Sequence, residues 1–349
     1  MTRPTPARTD HENMTEPDRS RIAVLGAGSW GTALAALLAA NGAEVCLWAR
    51  DCEQAAVIDR EHRNPRYLPG VALPNTLSAS CDLAQVVAGA DQVWLVLPTK
   101  ILGGFLVEHA AMLPRSAVYV TASKGFEPGT GRRIDELVTA VLGDVAFAVV
   151  SGPTFAIEIA HARPAALVVG SRDQGVAESV AAALRNDHIR CYPSSDVVGI
   201  ELAGGLKNVL AIAAGVSDGF GFGANTRAAL ITRGLAEIMR LGEAMGAQAE
   251  TFIGLAGLGD LVLTCTDDHS RNRQFGLRLA RGESVDAAVA AIGQAVEGIS
   301  AAREGYRLAQ AYGQELPITE SVYRVLYEGL PAREAVVELL TREPRPSES

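Results

Sequence analysis

Arg21-Ile22-Ala23-Val24-Leu25-Gly26-Ala27-Gly28-Ser29-Trp30-Gly31-Thr32-Ala33 is the stretch whose reading decides the fold of this chain. Arg21–Leu25 is a short, apolar, β-favouring run that meets a glycine loop. Thr32–Ala40, with Ala and Leu throughout, favours a helix, and Asn41-Gly42 stops it. Glu44–Trp48 is the next strand-like run, so the whole has the size of a βαβ unit. The glycines have a chemical reason. A pyrophosphate must come close to backbone N–H groups, and side chains at the turn would block it. Gly26 allows the tight turn, Gly28 the approach of the phosphate, and Gly31 close packing of helix on strand. The helix N-terminus adds free donors and partial positive charge. A glycine pattern alone is weak; its place after a strand and before a helix makes it a dinucleotide site, with Ser29 and Trp30 inside the loop.

Outward from this unit the pattern repeats. Gln92–Leu97, Ala117–Thr121, Ala146–Val150, Ala166–Val169 and Ile189–Tyr192 read as strands, and Asn64–Pro74 as a loop. Near Asp196 the character changes. Ala228–Met245 and Glu297–Tyr312 are long and helical without strand alternation. The expected fold class is therefore α/β: an N-terminal Rossmann-type, doubly wound, mostly parallel sheet over 21–195, plus a C-terminal all-α domain over 196–341. Residues 1–20, rich in Pro, Arg, Thr, Asp and Glu and without an apolar core, read as a disordered tail and not a secretory signal; 342–349 reads as a second tail.

Composition narrows the function. The chain has 349 residues, enough for two cores, and 48% are hydrophobic. A net charge of −9 argues against a nucleic-acid binder. Five cysteines without a CxxC pair make a disulfide framework unexpected; each reads as a small buried hydrophobe in a reducing cytoplasm. Apolar runs such as Ala33–Ala40 and Val145–Val150 are too short to span a bilayer, and no His, Cys or carboxylate cluster has metal-ligand spacing.

Ligands in such sheets bind beyond the carboxyl ends of the strands. At the end of the second strand, Arg50 is placed to take a 2′-phosphate, while the neighbouring Asp51 keeps an unphosphorylated ribose possible; NADP(H) and NAD(H) both stay open. Lys100 reads as a solvated surface group, whereas Lys124, in Ser123-Lys124-Gly125, is placed to meet an anionic or carbonyl substrate. Gly152 and Thr154 follow the next strand, Ala146–Val150. Lys207 stands in an apolar, small-residue stretch, Leu202–Leu210, where burial lowers a lysine's pKa and suits it to donate a proton to a carbonyl oxygen; the plainer reading is a snorkelling side chain at a helix edge. Asp260 is a lone carboxylate among Gly and Leu, able to orient an ammonium or to cap a helix. Ser270-Arg271-Asn272 can bind phosphate, or form an exposed polar turn; His269 reads as surface.

Gly26–Ala33, Ser123–Gly125, Ser-Gly-Pro-Thr-Phe-Ala at 151–156, Gly-Gly-Leu-Lys-Asn-Val at 204–209, Ala-Gly-Leu-Gly-Asp-Leu at 256–261, Ser-Arg-Asn-Arg at 270–273 and Val-Glu-Gly at 296–298 occur in that order. Together they resemble the bacterial NAD(P)-dependent sn-glycerol-3-phosphate dehydrogenases, from about Arg21 to about Leu340. The resemblance implies reversible reduction of dihydroxyacetone phosphate to sn-glycerol 3-phosphate for phospholipid synthesis. It implies Lys207 as proton donor and acceptor. It implies substrate contacts at Lys124, Gly152, Thr154, Asp260, Ser270, Arg271 and Asn272, and cofactor contacts at Ser29, Trp30, Arg50, Lys124, Ala156, Arg271, Ala295 and Glu297. Ala295 departs mildly, standing where relatives often carry Val. A homodimer is the expected assembly. Two rivals remain at this stage. A hydroxyacid or ketopantoate-type dehydrogenase would keep the fold but take a carboxylate. A nicotinamide-sensing regulator without turnover would need the glycine loop but no poised lysine.

Overall fold

A computed structural model describes residues 20–342. Apart from Ser20 and Arg342, the two expected tails lie outside the described residues. Eight strands follow in chain order: β1 (Arg21–Leu25), β2 (Glu44–Trp48), β3 (Leu77–Ser80), β4 (Gln92–Leu95), β5 (Val118–Thr121), β6 (Phe147–Ser151), β7 (Ala165–Gly170) and β8 (Ile189–Ser194). Between them run α1 (Ser29–Ala40), α2 (Cys52–Glu61), α3 (Leu83–Val87), α4 (Thr99–His109), α5 (Ile134–Leu142), α6 (Ala156–Ala160) and α7 (Gln174–Leu184). Everything described beyond β8 is helical: α8 (Val197–Gly219), α9 (Gly223–Ala244), α10 (Ala249–Ile253), a π-helical turn Leu255–Gly259, α11 (Asp260–Thr266), α12 (Arg271–Ala280), α13 (Val285–Ile292), α14 (Glu297–Ala311), α15 (Pro317–Tyr327) and α16 (Ala332–Thr341).

The strands form one sheet in the order β3-β2-β1-β4-β5-β6-β7-β8. All neighbours are parallel except β6 and β7, so the last two strands run opposite to the rest. The expectation of a doubly wound, mostly parallel sheet with an all-α second part is met. β3, an edge strand reading Leu-Ser-Ala-Ser, escaped the sequence reading because it lacks an apolar run. Period-two alternation sends Ile22, Val24, Val45 and Leu47 to one face, under α1 and α7. Ala23, Leu25 and Trp48 go to the other, under α4 and α5. Strand order reverses between β1 and β4, which opens the crevice at their carboxyl ends where such sheets bind ligands.

α8 is the axis of the second core. Asp196 caps it, accepting from Gly199 N–H at 2.9 Å. Its 23 residues have the length and mean hydropathy, 1.6, of a membrane span, yet 94% of that window is buried inside the protein. Glu201 and Lys207 interrupt its apolar run. Ala249–Thr266 passes the same test, but the π-turn and buried Asp260 break it. α12 lies directly on α8. A side-chain carbon on Gly215 would stand 2.0 Å from Arg273 O, and one on Gly276 2.1 Å from Ile212 O, so only glycine permits this approach. That contact carries Asn272 to the side of Asn208, the residue after Lys207.

Candidate active site

The glycine loop has the shape its sequence requires. Gly26 sits at φ +123°, where a side-chain carbon would press 2.4 Å from Val96 O; one on Gly31 would stand 1.9 Å from Gly26 O. At Gly28 such a carbon would meet nothing within 4 Å, so the space before α1 is open. The first turn of α1 has no side-chain cap and no acidic residue, leaving its donors and partial positive charge directed at that space. Two residues to which the sequence assigns no role at the site brace the loop. Asn64 Nδ2 donates to Ala27 O at 3.0 Å and to Thr32 Oγ1 at 2.8 Å, and Gln54 Nε2 donates to Ala27 O at 2.7 Å. Asn64 is wholly buried. Its place in a Pro- and Asn-rich stretch made it look like a connector, and only the fold returns that loop to the turn. Ser29 Oγ donates to Tyr67 O at 2.6 Å, pinning the same loop from outside.

At the end of β2, Arg50 is exposed. Asp51 is not held ready for a ribose: its carboxylate caps α2, accepting from Glu53 N–H at 3.0 Å and Gln54 N–H at 3.3 Å.

Along the sheet edge the fold assembles a second cluster from both parts of the chain. Lys124, on the turn after β5, donates to Asp260 Oδ2 at 2.6 Å and to Gly152 O at 3.3 Å. Lys207, about three turns into α8, donates to Asp260 Oδ1 and, at 2.8 Å, to Thr264 Oγ1. Asp260 thus lies between two ammonium groups. Its carboxylate is buried, and burial alone would raise its pKa, but Lys124 and Lys207 outweigh that and hold it below the usual carboxylate range. Lys207 is also buried. Burial lowers its pKa to about 8; Asp260 opposes the fall and Lys124 adds to it. The snorkelling reading of Lys207 fails, because its head is enclosed. Asp260 does stand at a helix start, but its side chain serves the lysines; Thr264, one turn on, accompanies it by donating to Asp260 O at 2.7 Å.

Glu297, the first residue of α14, stands beside the Lys124 turn: a side-chain carbon on Gly125 would be 3.5 Å from its Oε2. Burial pushes this carboxyl up to about 7, against the pull of Arg271, a Thr99 backbone N–H and Lys124. Its Oε2 and the Trp30 indole N–H are buried without a hydrogen-bond partner. Arg271 opens to solvent at the start of α12, where the surrounding protein lowers its pKa and Glu297 opposes the shift; it donates to Gln294 Oε1 at 3.3 Å. Its two neighbours are engaged. Ser270 Oγ caps α12, accepting from Arg273 N–H at 3.3 Å. Asn272 donates to Asn208 Oδ1 at 2.9 Å and accepts from Gly298 N–H at 3.0 Å, locking α8, α12 and α14 together. Of the three residues expected to hold a phosphate, then, Arg271 is exposed while Ser270 and Asn272 are buried. Thr154 Oγ1 donates back to Gly152 O at 3.3 Å, Ala156 begins α6, which packs on α1, and Ala295 lies half-buried before α14. Exposed His269 packs its ring on Phe155 at 5.5 Å and so spans the two parts of the chain.

One expectation is overturned. Cys52 and Cys81 are joined by a disulfide. Their 29-residue separation conceals a neighbourhood created by parallel pairing of β2 and β3, in which Trp48 lies opposite Ser80. Cys191 and Cys265 are buried as expected, and Cys46 partly so.

An open phosphate cradle at a sheet's topological switch, beside a Lys124–Asp260–Lys207 cluster built jointly by the sheet and its helical partner, defines a two-domain dinucleotide-dependent oxidoreductase. The comparisons specify it further. Residues 21–177 match the model of the NAD-dependent glycerol-3-phosphate dehydrogenase N-terminus, and 196–337 that of the C-terminus. The chain belongs to the NAD-dependent glycerol-3-phosphate dehydrogenase family. It is 50% identical to glycerol-3-phosphate dehydrogenase [NAD(P)+] of Pseudoalteromonas translucida over 93% of this chain and 98% of that one. The crystal structure of glycerol-3-phosphate dehydrogenase from Coxiella burnetii superposes with a TM-score of 0.90 at 42% identity, covering 93% of this chain and 99% of the other. A ketopantoate reductase from Ralstonia eutropha JMP134, at 18% identity and a TM-score of 0.53, covering 90% of this chain and 99% of that one, shares the fold alone. The chain is accordingly an NAD(P)-dependent glycerol-3-phosphate dehydrogenase, which sets aside both rival readings. Among the described residues no group of His, Cys, Asp and Glu is arranged to hold a metal.

Proposed function

We propose that this enzyme reversibly reduces dihydroxyacetone phosphate to sn-glycerol 3-phosphate, with Lys207 exchanging the proton of the C2 oxygen. The observation that carries the reading is the Lys124–Asp260–Lys207 bridge, in which a buried lysine of pKa about 8 faces the carboxyl edge of the sheet. A reduced nicotinamide, when bound, supplies the hydride to the C2 carbon. As negative charge grows on the carbonyl oxygen, Lys207 donates its proton there and Lys124 adds a positive field. Asp260 keeps Lys207 charged until that moment. Arg271 and the N-terminus of α12 hold the substrate phosphate, as helix N-termini hold anions, and Gly152 and Thr154 form the opposite wall. Ser270 and Asn272 act by placing Arg271.

The residues present fit the dinucleotide. Gly26, Gly28, Ser29, Trp30 and Gly31 would hold its pyrophosphate. Ala156 and Ala295 flank the groove, and Glu297 Oε2 offers an unused acceptor to an amide donor. Because Asp51 is engaged as a cap and Arg50 is open, we assign the phosphorylated cofactor as preferred. The domain boundary falls at about 195, between β8 and α8. We place the enzyme in the cytoplasm, feeding phospholipid synthesis, as a homodimer. A concave apolar surface lined by Leu230, Val325, Leu326 and Leu339 supports the dimer, and light scattering tests it.

The deciding assay follows NADPH absorbance on adding dihydroxyacetone phosphate or, separately, 2-keto acids. Turnover with the phosphate ester alone is expected. Lys207→Ala should lower kcat by about a hundredfold or more while NADPH still binds; undiminished turnover would refute the assignment.

A further inference from the structure

The Cys52–Cys81 bridge takes no part in the chemistry above, yet it lies beside the cofactor groove. Cys52 is the first residue of α2, directly after the capping Asp51 and two residues after Arg50. Cys81 follows β3. The two turns leave adjacent strands together: Ala49 N–H donates to Ser80 O at 3.1 Å, and Trp48 Nε1 donates to Cys81 O at 3.1 Å. Both turns sit at carboxyl ends of strands, the edge at which this kind of sheet takes its ligand. Cys52 is exposed and Cys81 half-buried, so solutes reach the bridge. The remaining cysteines are poor competitors for a thiol reagent. Burial raises the thiols of Cys191 and Cys265 to about 12 and that of Cys46 above its ordinary value.

We propose that Cys52 and Cys81 form a reversible redox site that sets affinity for the 2′-phosphate end of the dinucleotide. The proposal rests on the reading of Arg50 given above. In the oxidising direction a thiolate of the pair attacks a low-molecular-weight disulfide and expels one small thiol. The second cysteine then attacks the mixed disulfide and expels the other. Two cysteine thiols thus become one S–S bond, while the small disulfide is reduced to two thiols. A dithiol reverses the exchange. The start of α2 favours the thiolate of Cys52, because the helix N-terminus is the positive end of its dipole. Bridged, the Arg50–Cys52 turn is tied covalently to the turn after β3. Unbridged, it is held by the Asp51 cap and by the backbone bond at Ala49. A phosphate-binding turn that is already ordered loses less freedom when ligand arrives, so the bridged enzyme binds the phosphorylated cofactor more tightly.

The test uses the full-length enzyme, either oxidised with glutathione disulfide or reduced with dithiothreitol. Alkylation and mass spectrometry of tryptic peptides report the state of Cys52 and Cys81. Steady-state assays give KM for NADPH, NADH and dihydroxyacetone phosphate. The bridged form is expected to show a KM for NADPH lower by about fivefold, the gain from one pre-ordered turn. Smaller change is expected for NADH, and none in kcat at saturating cofactor. Cys52→Ser should be indifferent to dithiothreitol and match the reduced enzyme. Equal KM for NADPH in the two forms overturns the proposal, as does alkylation of both cysteines after oxidation. Arg50→Ala separates the two readings. If it leaves KM for NADPH unchanged, the cofactor reading is at fault. If it raises KM while the redox state changes nothing, the redox site alone is refuted. A redox effect of undiminished size in Arg50→Ala also overturns the proposal, since the effect then bypasses the phosphate.

Discussion

Replacing Asp260 with Asn keeps the shape of the site and removes the charge between Lys124 and Lys207. In the folded enzyme Lys207 has a pKa of about 8, with burial pulling it down and Asp260 holding it up. Opposite unit charges in contact attract by about 4 kcal/mol at the effective dielectric of such sites. At about 1.4 kcal/mol for each pKa unit, that support is worth about 3 units. Asp260→Asn should therefore drop Lys207 to a pKa of about 5, and the unrelieved repulsion from Lys124 acts in the same direction. A proton donor must be charged before it acts. At pH 7 the charged fraction falls from about nine-tenths to about one-hundredth, so ketone reduction slows by about a hundredfold. The diagnostic is the pH profile. Native activity in the reducing direction should fall as pH rises through about 8; that of the variant should already fall through about 5, with partial recovery in acid. The assay is kcat/KM for dihydroxyacetone phosphate with NADPH from pH 5 to 9, with circular dichroism and cofactor fluorescence reporting fold and binding. A variant profile that still breaks near 8 refutes the claim that Asp260 sustains the charge on Lys207.

Three further outcomes are expected. Arg50→Ala should raise KM for NADPH about tenfold, the worth of a charge-assisted hydrogen bond, and leave NADH nearly unaffected; equal effects on both cofactors would contradict the assignment. Gly31→Ala sets a carbon against Gly26 O, so thermal denaturation should show a loss of about 1–3 kcal/mol and NADPH should no longer protect the protein. Glu237, whose carboxylate accepts from Ile318 N–H at 3.0 Å, is raised by burial from 4.5 to about 7. Below 4.5 both folded and unfolded chains hold the proton; between 4.5 and 7 only the folded one does. Stability is thus lost as pH rises through that window, by about 3 kcal/mol, and urea titrations of Glu237→Gln should show a shallower slope there.

Much of this molecule follows from local patterning alone. Arg21–Trp48 states its own fold, because a strand, a glycine turn and a helix are each short-range consequences of residue type, and their succession leaves one plausible ligand. The burial of Lys207 does not follow in the same way: a lysine among Leu, Ala and Gly can still snorkel from a helix edge, and only Asp260 and Thr264 closing over its head decide that it does not. What sequence by itself leaves open is partnership across distance. Asp260 meets Lys207 and Lys124 because a π-turn, a sheet edge and α8 converge, with the Gly215 and Gly276 approach bringing Asn272 against Asn208. Asn64 reads as a loop residue until the chain doubles back to brace Ala27. Cys52 and Cys81 read as unrelated until the parallel pairing of β2 and β3 sets their turns side by side. Periodicity and turn chemistry act over a few residues, and so are legible in order. A site made of groups 29 to 136 positions apart exists only once burial of two apolar cores has fixed where each turn must lie.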